Sequence, residues 1–480
     1  MHRLPVQPVE GPTAAGGAPG AADRDAPGRL REVEAMLVAS AVETVIVAGL
    51  DTNGTLRGKR VPARDVATVL EHGVGVCDVI FVLPADEARP VAPPVGHAGY
   101  FPRDGYPDTF LRPDPGTLRV LPWQERTAIV LGDFHDLAGR PNPLCPRGVL
   151  RSVVARAERM GLEPVVGVEL EFYVLRETPE SVQAKRPSQL EPVDDRLNAY
   201  GVLVSGRQEP LLRAIRENLV ACGVPVEACN PEAGPGQFEI NLGHRPAVHA
   251  ADDAVLLRHA VKEHATERGL TATFMAKPRS DWPGSSCHFH VSLRRAGEDA
   301  FHDPDARDGM SATMRRFTAG ALAAMPELTA IMAPTPNSYR RYGAYSWAGS
   351  TATWSYDNRT AGLRAVCHGR GATRLEHRQA GADANPYLAL AAVLAAGLHG
   401  VEHGLEPPPP EAGDLYVRDD LDGLPRSLDV AADRLAESDL AREWLGADLV
   451  AQYVALCRAE VAAAAAAVTD WETARYLEVR

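Results

Sequence analysis

Two glutamates that stand two residues apart in an apolar segment, Glu169 and Glu171, constrain this chain more than any other feature. The segment 165–175 reads VVGVELEFYVL, and its β-branched and aromatic residues predict a buried strand. Side chains two positions apart in a strand point to the same face, so both carboxylates project together. Two like charges in a core are costly unless a cation neutralises them, which predicts a divalent metal site. A solvated strand face is the alternative for this pair taken alone.

Acidic and imidazole side chains recur in short motifs further along the chain. Glu232 and Glu239 flank a Gly-Pro-Gly turn, His288 and His290 alternate within SCHFH, and Glu376 lies within RLEHR. An isolated His-x-His pair is as readily a satisfied core or surface pair as a ligand pair. The recurrence of such groups on predicted strands instead indicates one shared site.

The length and charge of the chain exclude several classes of protein. With 480 residues the chain can form two or three structural units. A formal net charge of −13 argues against a nucleic-acid partner, which needs a basic surface. We see no apolar run long enough to cross a bilayer and no signal-peptide order at the N-terminus, so we expect a cytoplasmic protein without a membrane partner. The seven cysteines are scattered without a CxxC pair, which gives no zinc or disulfide framework.

Strands and helices mix along the chain, which indicates the α+β class. Residues 1–28 are rich in Ala, Gly and Pro and predict a disordered tail. A hairpin around Asn53-Gly54 belongs to a small β-rich unit over 29–122, and a larger catalytic unit covers 123–480. The polar, proline-broken segment 177–198 predicts a surface insertion that covers the site. Further elements are predicted at 127–133 and 271–276 as strands, and at 147–160, 209–222, 251–268, 308–332, 385–403 and 440–469 as helices.

Taken in order, the motifs resemble those of the glutamine synthetase family. They read GVELEF at 167–172, Glu232 followed by GQFE at 236–239, KP and GSSCHFHVS between 277 and 292, NSYRR at 337–341, RLEHR at 374–378 and NPYL at 385–388. The resemblance covers about residue 45 to the C-terminus. It implies a small β-grasp-like N-terminal domain and a large catalytic domain with a curved antiparallel sheet flanked by helices. It also implies a homo-oligomer, a dodecamer of two stacked hexameric rings.

The same resemblance implies a two-metal site with ATP as co-substrate. One metal would be held by Glu171, Glu232 and Glu239, and the second by Glu169, His288 and Glu376. Oxygen-rich sites with one imidazole suit Mg²⁺ or Mn²⁺ better than zinc. The residues implied near the nucleotide are Glu227, His290, Ser292 and Arg374.

Arginines and one glycine complete the residues that the resemblance implies. Arg341 and Arg378, with Gly284, would hold the amino-acid substrate and its carboxylates. The catalytic residues that would face the phosphates are Arg359, Arg364 and Arg374. A planar guanidinium grips either anion through paired hydrogen bonds, and its fixed charge stabilises phosphoryl transfer.

Departures from the family pattern concern the ammonium site. Glutamine synthetases carry a loop Glu that takes the proton from the incoming amine, and Trp347 falls at that position here. Their Phe-Asp-Gly-Ser-Ser segment, whose Asp helps to bind ammonium, is absent, and Asp78 is a weak substitute. Pro283 replaces the Asn before the Gly-Ser segment. With Trp347, the residues Tyr342, Tyr345 and Trp354 would give an acceptor a less polar, aromatic surface.

The sequence therefore predicts an ATP-dependent ligase that activates the γ-carboxylate of glutamate as an acyl phosphate. The acyl group would pass to an organic amine other than ammonium, with release of ADP and phosphate. In this the chain is similar to the glutamine synthetase-like γ-glutamylamide ligases, so its small-molecule substrates would be glutamate, an amine and ATP. Two alternatives stay open: a glutamine synthetase that uses ammonium, and a nucleotide-binding pseudoenzyme or regulatory subunit.

Overall fold

The structure, a computed structural model, describes residues 26–93, 97, 99–102, 105–186, 189–343 and 345–479. Residues 1–25 of the predicted tail lie outside the described residues. Residues 26–28 are not part of such a tail, because the first helix already begins at Ala26.

The strands are β1 (Thr44–Leu50), β2 (Leu56–Pro62), β3 (Val74–Cys77), β4 (Asp108–Pro113), β5 (Arg119–Val120), β6 (Thr127–His135), β7 (Glu163–Leu175), β8 (Val226–Pro231), β9 (Gln237–Pro246), β10 (Thr271–Thr273), β11 (Cys287–Arg295), β12 (Glu298–Asp299), β13 (Trp354–Tyr356), β14 (Leu363–Val366) and β15 (Arg374–His377). The helices are α1 (Ala26–Ala39), α2 (Val66–His72), α3 (Pro146–Arg159), α4 (Pro179–Ala184), α5 (Val202–Ala221), α6 (Ala247–Thr266), α7 (Ala312–Ala324), α8 (Thr329–Met332), α9 (Pro386–His403), α10 (Leu428–Glu437), α11 (Asp439–Leu445), α12 (Ala447–Ala466) and α13 (Asp470–Tyr476).

The first sheet has the strand order β2-β1-β6-β4-β3, with β5 beside β6. The predicted hairpin is confirmed, because β1 and β2 pair antiparallel from Thr44 with Pro62 to Leu50 with Leu56. Strand β6 pairs parallel to β1 in the same sheet. The N-terminal sheet therefore includes residues up to His135, whereas the predicted boundary at residue 122 assigned β6 to the catalytic unit.

The second sheet carries the candidate site. Its strand order is β13-β14-β15-β11-β7-β9-β8, with β10 beside β7 and β12 beside β11. All of these pairs are antiparallel except β13 with β14. In β7, Val168, Leu170 and Phe172 are buried on the face opposite to Glu169 and Glu171. Helix α6 packs against β7 and β9. Two sheets with packed helices confirm the predicted α+β class.

Helix α9 is buried along almost its whole length and contacts α3, α6, α7 and α11. Asn385 caps its N-terminus, and Gly404 ends it with a left-handed φ of 63°. Helix α7 approaches closely because Gly320 faces Gly400: a Cβ on Gly320 would lie 2.2 Å from the carbonyl oxygen of Ala396. This close packing fixes the helical layer behind the second sheet.

Several predicted elements differ in extent from those observed. The predicted helix at 308–332 is divided into α7 and α8 around Pro326, which lacks the N–H that a continuous helix needs. The predicted helix at 440–469 is divided at Gly446, which has a φ of 98°. Helix α5 starts at Val202 and runs through Pro210, and the strand predicted at 271–276 ends at Thr273.

One helical stretch among the described residues, Ala447–Tyr476, is long and apolar enough by length and composition to span a membrane. The expectation that the chain has no such run is therefore wrong on length and composition. The first part of this stretch carries buried residues such as Leu449, Tyr453 and Cys457. Helix α12 packs against α10 and α11, which is the pattern of a core helix.

Candidate active site

Four neighbouring strands, β7, β9, β11 and β15, bring most of the predicted ligand residues to one face of the second sheet. Residues directly opposite one another in antiparallel strands share a face. The opposed pairs are His288 with Glu169, Glu239 with Glu171, and His290 with Glu376. The sheet registers therefore assemble side chains that lie far apart in the sequence.

Two groups of these side chains offer ligand atoms that all lie within 4.8 Å of one another. The groups are Glu169, Glu239 and His288, and Glu169, His290 and Glu376. Glu169 belongs to both groups, whereas the predicted ligands Glu171 and Glu232 belong to neither. The predicted division of six ligands between two metals stays a prediction.

Glu171, Glu232 and Glu239 form a carboxylate cluster beside these groups. Burial and the charges of Glu232 and Glu239 raise the pKa of Glu171 well above its usual range. Burial and the charges of Glu169 and Glu232 raise the pKa of Glu239 to about 8. Glu171 Oε2 accepts a hydrogen bond from the backbone N of Ser286 at 2.7 Å, which fixes its position. Buried carboxylates that raise one another's pKa values are suited to bind a divalent cation, which would compensate their negative charges.

Glu169 lies between two imidazoles. Its Oε2 is 3.3 Å from His288 Nδ1, and its Oε1 is 3.0 Å from His290 Nε2. Although burial opposes ionisation, the two histidines hold the pKa of Glu169 below its usual range. Burial and the charge of Arg378 lower the pKa of His288, which favours the neutral form that binds metals. The buried Nε2 of His288 has no hydrogen-bond partner among the described residues. This donor set fits a divalent metal ion.

Two arginines hold Glu376. Its Oε2 lies 2.9 Å from Arg364 Nη1, and its other oxygen ion-pairs with Arg378. Although burial opposes ionisation, the charge of Arg378 lowers the pKa of Glu376 to about 2. Arg364 also donates from Nε to Asp357 Oδ1 at 2.9 Å. The predicted residues Arg364 and Arg378 therefore both contact Glu376, one of the candidate metal ligands.

Arg341 lies beneath Gly284, a second residue predicted to bind the amino-acid substrate. Its side chain is 1% exposed, and Nη1 donates to Ser286 Oγ at 3.0 Å. A Cβ on Gly284 would lie 2.3 Å from Arg341 Cγ, so only glycine allows this approach. The two predicted substrate residues are thus in direct contact.

Arg359 is exposed, unlike the buried Arg341, Arg364 and Arg378. Its charge acts on Tyr200, which follows the predicted covering insertion. Burial and the charges of Glu232 and Glu239 raise the pKa of Tyr200, and Arg359 opposes that shift. Tyr200 therefore lies within electrostatic range of both the carboxylate cluster and Arg359.

A cleft of about 330 Å³ opens beside Glu169. The four residues predicted near the nucleotide all line this cleft: Glu227, His290, Ser292 and Arg374. Arg374 Nε donates to His290 Nδ1 at 3.1 Å, which places a fixed positive charge next to Glu169. The cleft is also lined by polar residues that were not predicted from the sequence: Asn241, His244, Arg294, Asp299 and Thr373.

The loop after Arg341 presents two aromatic side chains to solvent. Trp347 is 50% exposed and Tyr345 is 59% exposed. Both residues have left-handed backbones, with φ values of 58° and 56°. The carbonyl oxygen of Trp347 accepts a hydrogen bond from Arg378 Nη2 at 3.1 Å. Left-handed backbones are costly for bulky residues and cluster at functional sites.

The aromatic surface differs in composition from the one predicted. The rings of Tyr345 and Trp347 pack against Tyr416, with centroid distances of 5.3 and 5.9 Å. Tyr342 and Trp354 are buried in the core instead. The hydroxyl of Tyr342 donates to the carbonyl oxygen of Gln379 at 3.1 Å. This buried ring is therefore not part of a surface that could contact an amine substrate.

Asp78 does not serve as a substitute for the missing ammonium ligand within this chain. It is buried in the N-terminal sheet region. Asn142 Nδ2 donates to its Oδ1 at 3.0 Å, and the hydroxyl of Tyr100 bonds its other oxygen. Both carboxylate oxygens are therefore used within that region.

Comparison with known proteins decides the family. The family described as "Glutamine synthetase, catalytic domain" matches residues 143–476. The chain belongs to the glutamine synthetase family. It is 40% identical over 459 residues to gamma-glutamylethanolamide synthetase of Streptomyces coelicolor, covering 95% of this chain and 97% of that protein. It is 37% identical over 442 residues to glutamate–isopropylamine ligase of a Pseudomonas species, covering 91% of this chain and 95% of that protein.

Solved structures have the same fold. The chain is similar to the GmaS/ADP complex with a TM-score of 0.82 and 31% identity, covering 93% of this chain and 99% of that chain. It is also similar to a novel glutamine synthase homolog with a TM-score of 0.75 and 27% identity, covering 91% of this chain and 97% of that chain. The predicted glutamine synthetase-like fold is therefore confirmed.

Besides the polar residues of the cleft, Tyr416, Asp357 and Tyr200 were not predicted from the sequence. Tyr416 lies in the long connection between α9 and α10, where no periodic pattern marks it. Asp357, the partner of Arg364, stands two residues before Arg359 and could have been found only from the pairing. Tyr200 could have been suspected from its place directly after the predicted covering insertion.

Proposed function

We propose that this member of the glutamine synthetase family is an ATP-dependent glutamate–amine ligase. It phosphorylates the γ-carboxylate of glutamate and transfers the γ-glutamyl group to an organic amine. The names of its relatives, a glutamate–isopropylamine ligase and a gamma-glutamylethanolamide synthetase, support this reaction class. The assembled acid, histidine and arginine side chains supply the chemistry that such a reaction needs.

The cleft beside Glu169 is the nucleotide site in this proposal. Glu227 and Ser292 line its walls, and Arg374 and His290 are joined by a hydrogen bond next to Glu169. A phosphate chain held there would meet the fixed charge of Arg374. Substitution of Glu227 or Ser292 should therefore raise the KM for ATP more than the KM for glutamate.

Six side chains would hold two divalent cations, Mg²⁺ or Mn²⁺. We assign Glu171, Glu232 and Glu239 to one ion, and Glu169, His288 and Glu376 to the other, as the family resemblance implies. When bound, such ions would neutralise phosphate charge and help to align the terminal phosphoryl group. The raised pKa values of Glu171 and Glu239 support a cation at the cluster.

Arg341, Arg378 and Gly284 would bind glutamate. Arg341 and Gly284 are in contact, and Arg378 lies at the Glu376 side of the cluster. Guanidinium groups bind carboxylates through paired donors, which orients the γ-carboxylate for attack.

The reaction has two steps, phosphoryl transfer to glutamate and transfer of the γ-glutamyl group to the amine. An oxygen of the γ-carboxylate bonds to the terminal phosphorus of ATP while the bond to ADP breaks. The positive charges of Arg359, Arg364 and Arg374 stabilise this transfer. The nitrogen of a neutral amine next bonds to the acyl carbon, the bond to phosphate breaks, and the amine proton leaves to solvent.

The main evidence for the identity of the amine substrate is the side chain of Trp347. It stands where a glutamine synthetase has its loop Glu, and half of its side chain is exposed. An indole has neither a negative charge to bind ammonium nor a base to remove its proton. It can instead cover the carbon surface of a larger amine, worth about 25 cal/mol per Å² of apolar area removed from water. This favours an organic amine over ammonium and argues against a glutamine synthetase activity.

A nucleotide-binding pseudoenzyme is the weaker reading. Such a protein could lose ligands of the catalytic ions, whereas all six ligand-type residues are present in this chain. We also propose a cytoplasmic homo-oligomer, a dodecamer of two stacked hexameric rings, on the family resemblance; light scattering of the purified protein measures this directly.

The test of the proposed function is an assay with glutamate, ATP, Mg²⁺ and a panel of amines that includes ammonium. ADP release and product mass are measured for each acceptor. We expect the mass of a γ-glutamylamide with at least one small primary amine and little glutamine. Glu171→Ala serves as the inactive control. Glutamine formed as readily as any γ-glutamylamide, or no acceptor-dependent ADP release, would overturn the proposal.

A further inference from the structure

Tyr416 lies behind the two exposed aromatic residues of the loop 342–349. Its ring centroid is 5.3 Å from that of Tyr345 and 5.9 Å from that of Trp347, and the contact with Trp347 is edge-to-face at 89°. Edge-to-face contacts align the positive edge of one ring with the negative face of another. Tyr416 is thus an aromatic contact common to both exposed rings.

The segment that carries Tyr416 is itself fixed to the catalytic unit. The Asp414 side chain accepts a hydrogen bond from the backbone N of Tyr416 at 3.0 Å. Leu415 is buried, and its backbone N donates to Thr360 Oγ1 at 3.1 Å. The buried Tyr416 hydroxyl lies beside the backbone of Trp347 and the side chain of Ser346. The backbone that carries Tyr416 is therefore held by hydrogen bonds to Asp414 and Thr360 and by the buried side chain of Leu415.

The loop needs such a support because its backbone is strained. Tyr345 and Trp347 both have φ values in the left-handed region, at 56° and 58°. Bulky residues keep this conformation only where surrounding contacts impose it. About half of each side chain is exposed, and the ring of Tyr416 contacts both.

The same loop is connected to the site of acyl transfer. Arg378 donates to the carbonyl oxygen of Trp347 at 3.1 Å and ion-pairs with Glu376, which belongs to the candidate metal group with Glu169 and His290. Arg378 therefore links the backbone of Trp347 directly to Glu376, a candidate metal ligand. A displacement of Trp347 would disturb this hydrogen bond.

We propose that Tyr416 is a positioning residue that holds Tyr345 and Trp347 in place as the wall of the acceptor site. The wall is aromatic and uncharged, so it selects primary amines whose carbon chain lies against the rings over ammonium, which has no carbon surface. This inference rests on the proposed function for its substrate class, but the support of the loop by Tyr416 does not.

The experiment compares Tyr416→Ala and Tyr416→Phe with the unmodified enzyme. Steady-state kinetics are measured for amine, glutamate and ATP, and hydrogen exchange is measured for the peptide 342–349. The control is Tyr476→Ala, since Tyr476 makes a similar edge-to-face contact with Trp471 at 5.8 Å and 89°, outside the site.

Tyr416→Ala should raise the KM for the amine about tenfold or more, while the KM values for glutamate and ATP stay within about twofold. Hydrogen exchange of the loop should increase in Tyr416→Ala and remain near the original rate in Tyr416→Phe, which keeps the ring. Unchanged exchange of the loop in Tyr416→Ala would overturn the support by Tyr416, whichever amine the enzyme uses. Increased exchange with an unchanged amine KM would overturn the acceptor wall. Formation of glutamine alone by the unmodified enzyme would instead count against the proposed function.

Discussion

The guanidinium of Arg378 joins Glu376 to the backbone of Trp347. It ion-pairs with the carboxylate of Glu376 and donates from Nη2 to the carbonyl oxygen of Trp347 at 3.1 Å. One side chain therefore connects a candidate metal ligand with the exposed tryptophan that the family resemblance places at the position of the loop Glu of glutamine synthetases. Changes at Arg378 should affect the activation of glutamate and the entry of the amine together.

The first prediction concerns this fork. Arg378→Lys keeps the charge but cannot reach both partners, because an ammonium lacks the planar set of donors. We expect kcat/KM for glutamate and for the amine to fall about tenfold or more, since a charge-assisted hydrogen bond contributes about 1.5–3 kcal/mol. The KM for ATP should change by less than about twofold.

The matched control for this prediction is Arg156→Lys. Arg156 likewise contacts two acceptors, the carboxylates of Glu402 and Glu443, both through Nη2, but it lies on α3 outside the site. The Arg156→Lys variant should leave kcat/KM for glutamate, kcat/KM for the amine and KM for ATP close to those of the unmodified enzyme. Equal losses for glutamate, amine and ATP in Arg378→Lys would contradict the link between Glu376 and Trp347.

A second prediction concerns the carboxylate cluster in metal-free protein. The pKa of Glu239 is raised from 4.5 to about 8 by burial and the neighbouring charges of Glu169 and Glu232. Between these values the folded state binds more protons than the unfolded state, so stability is lost as pH rises through that window. In chelator, the unfolding temperature should be higher at about pH 6 than at about pH 8.5.

Added Mg²⁺ should reduce or reverse this pH dependence, because a bound cation compensates the ionised carboxylates. Glu239→Gln should flatten the pH profile in chelator for the same electrostatic reason. A metal-free protein that becomes more stable as pH rises from about 6 to about 8.5 would mean that these carboxylates do not oppose one another.

A third prediction tests the helical layer behind the sheet. Gly320→Ala would place a Cβ 2.2 Å from the carbonyl oxygen of Ala396, so α7 and α9 must separate. We expect a loss of about 1–3 kcal/mol in the free energy of unfolding, measured in denaturant. Gly206→Ala on α5 is the control, because a Cβ there meets nothing within 4 Å. That variant should gain about 0.4–1 kcal/mol; equal effects of the two variants would exclude the close approach as the cause.

The ligand-bearing strands could be predicted because their signal is local. Glu169 and Glu171 alternate with apolar residues in β7, and the side-chain period of two is a property of any strand. The opposition of His288 to Glu169 is not local, since it depends on the register between β7 and β11. Only the order of motifs shared with glutamine synthetases indicated that these side chains meet.

What the sequence could not give depends on contacts between distant segments. Strand β6 joins the first sheet through parallel pairing with β1, and no pattern around residue 122 shows that pairing. Tyr416 touches Trp347 across two irregular connections, where neither propensity nor periodicity applies. Tyr342 and Trp354 were predicted at the surface because aromatic residues beside a loop do not reveal which ring is buried.

In the proposed function, Trp347 makes the enzyme prefer an organic amine over ammonium. The most direct measurement is a competition: isotopically labelled ammonium and the best amine of the panel are supplied at equal concentration with glutamate and ATP, and both products are quantified by mass. The unmodified enzyme should form predominantly the γ-glutamylamide, and Trp347→Glu should shift product toward labelled glutamine by about tenfold or more. Glutamine as the main product of the unmodified enzyme, or an unchanged product ratio in Trp347→Glu, would contradict the account.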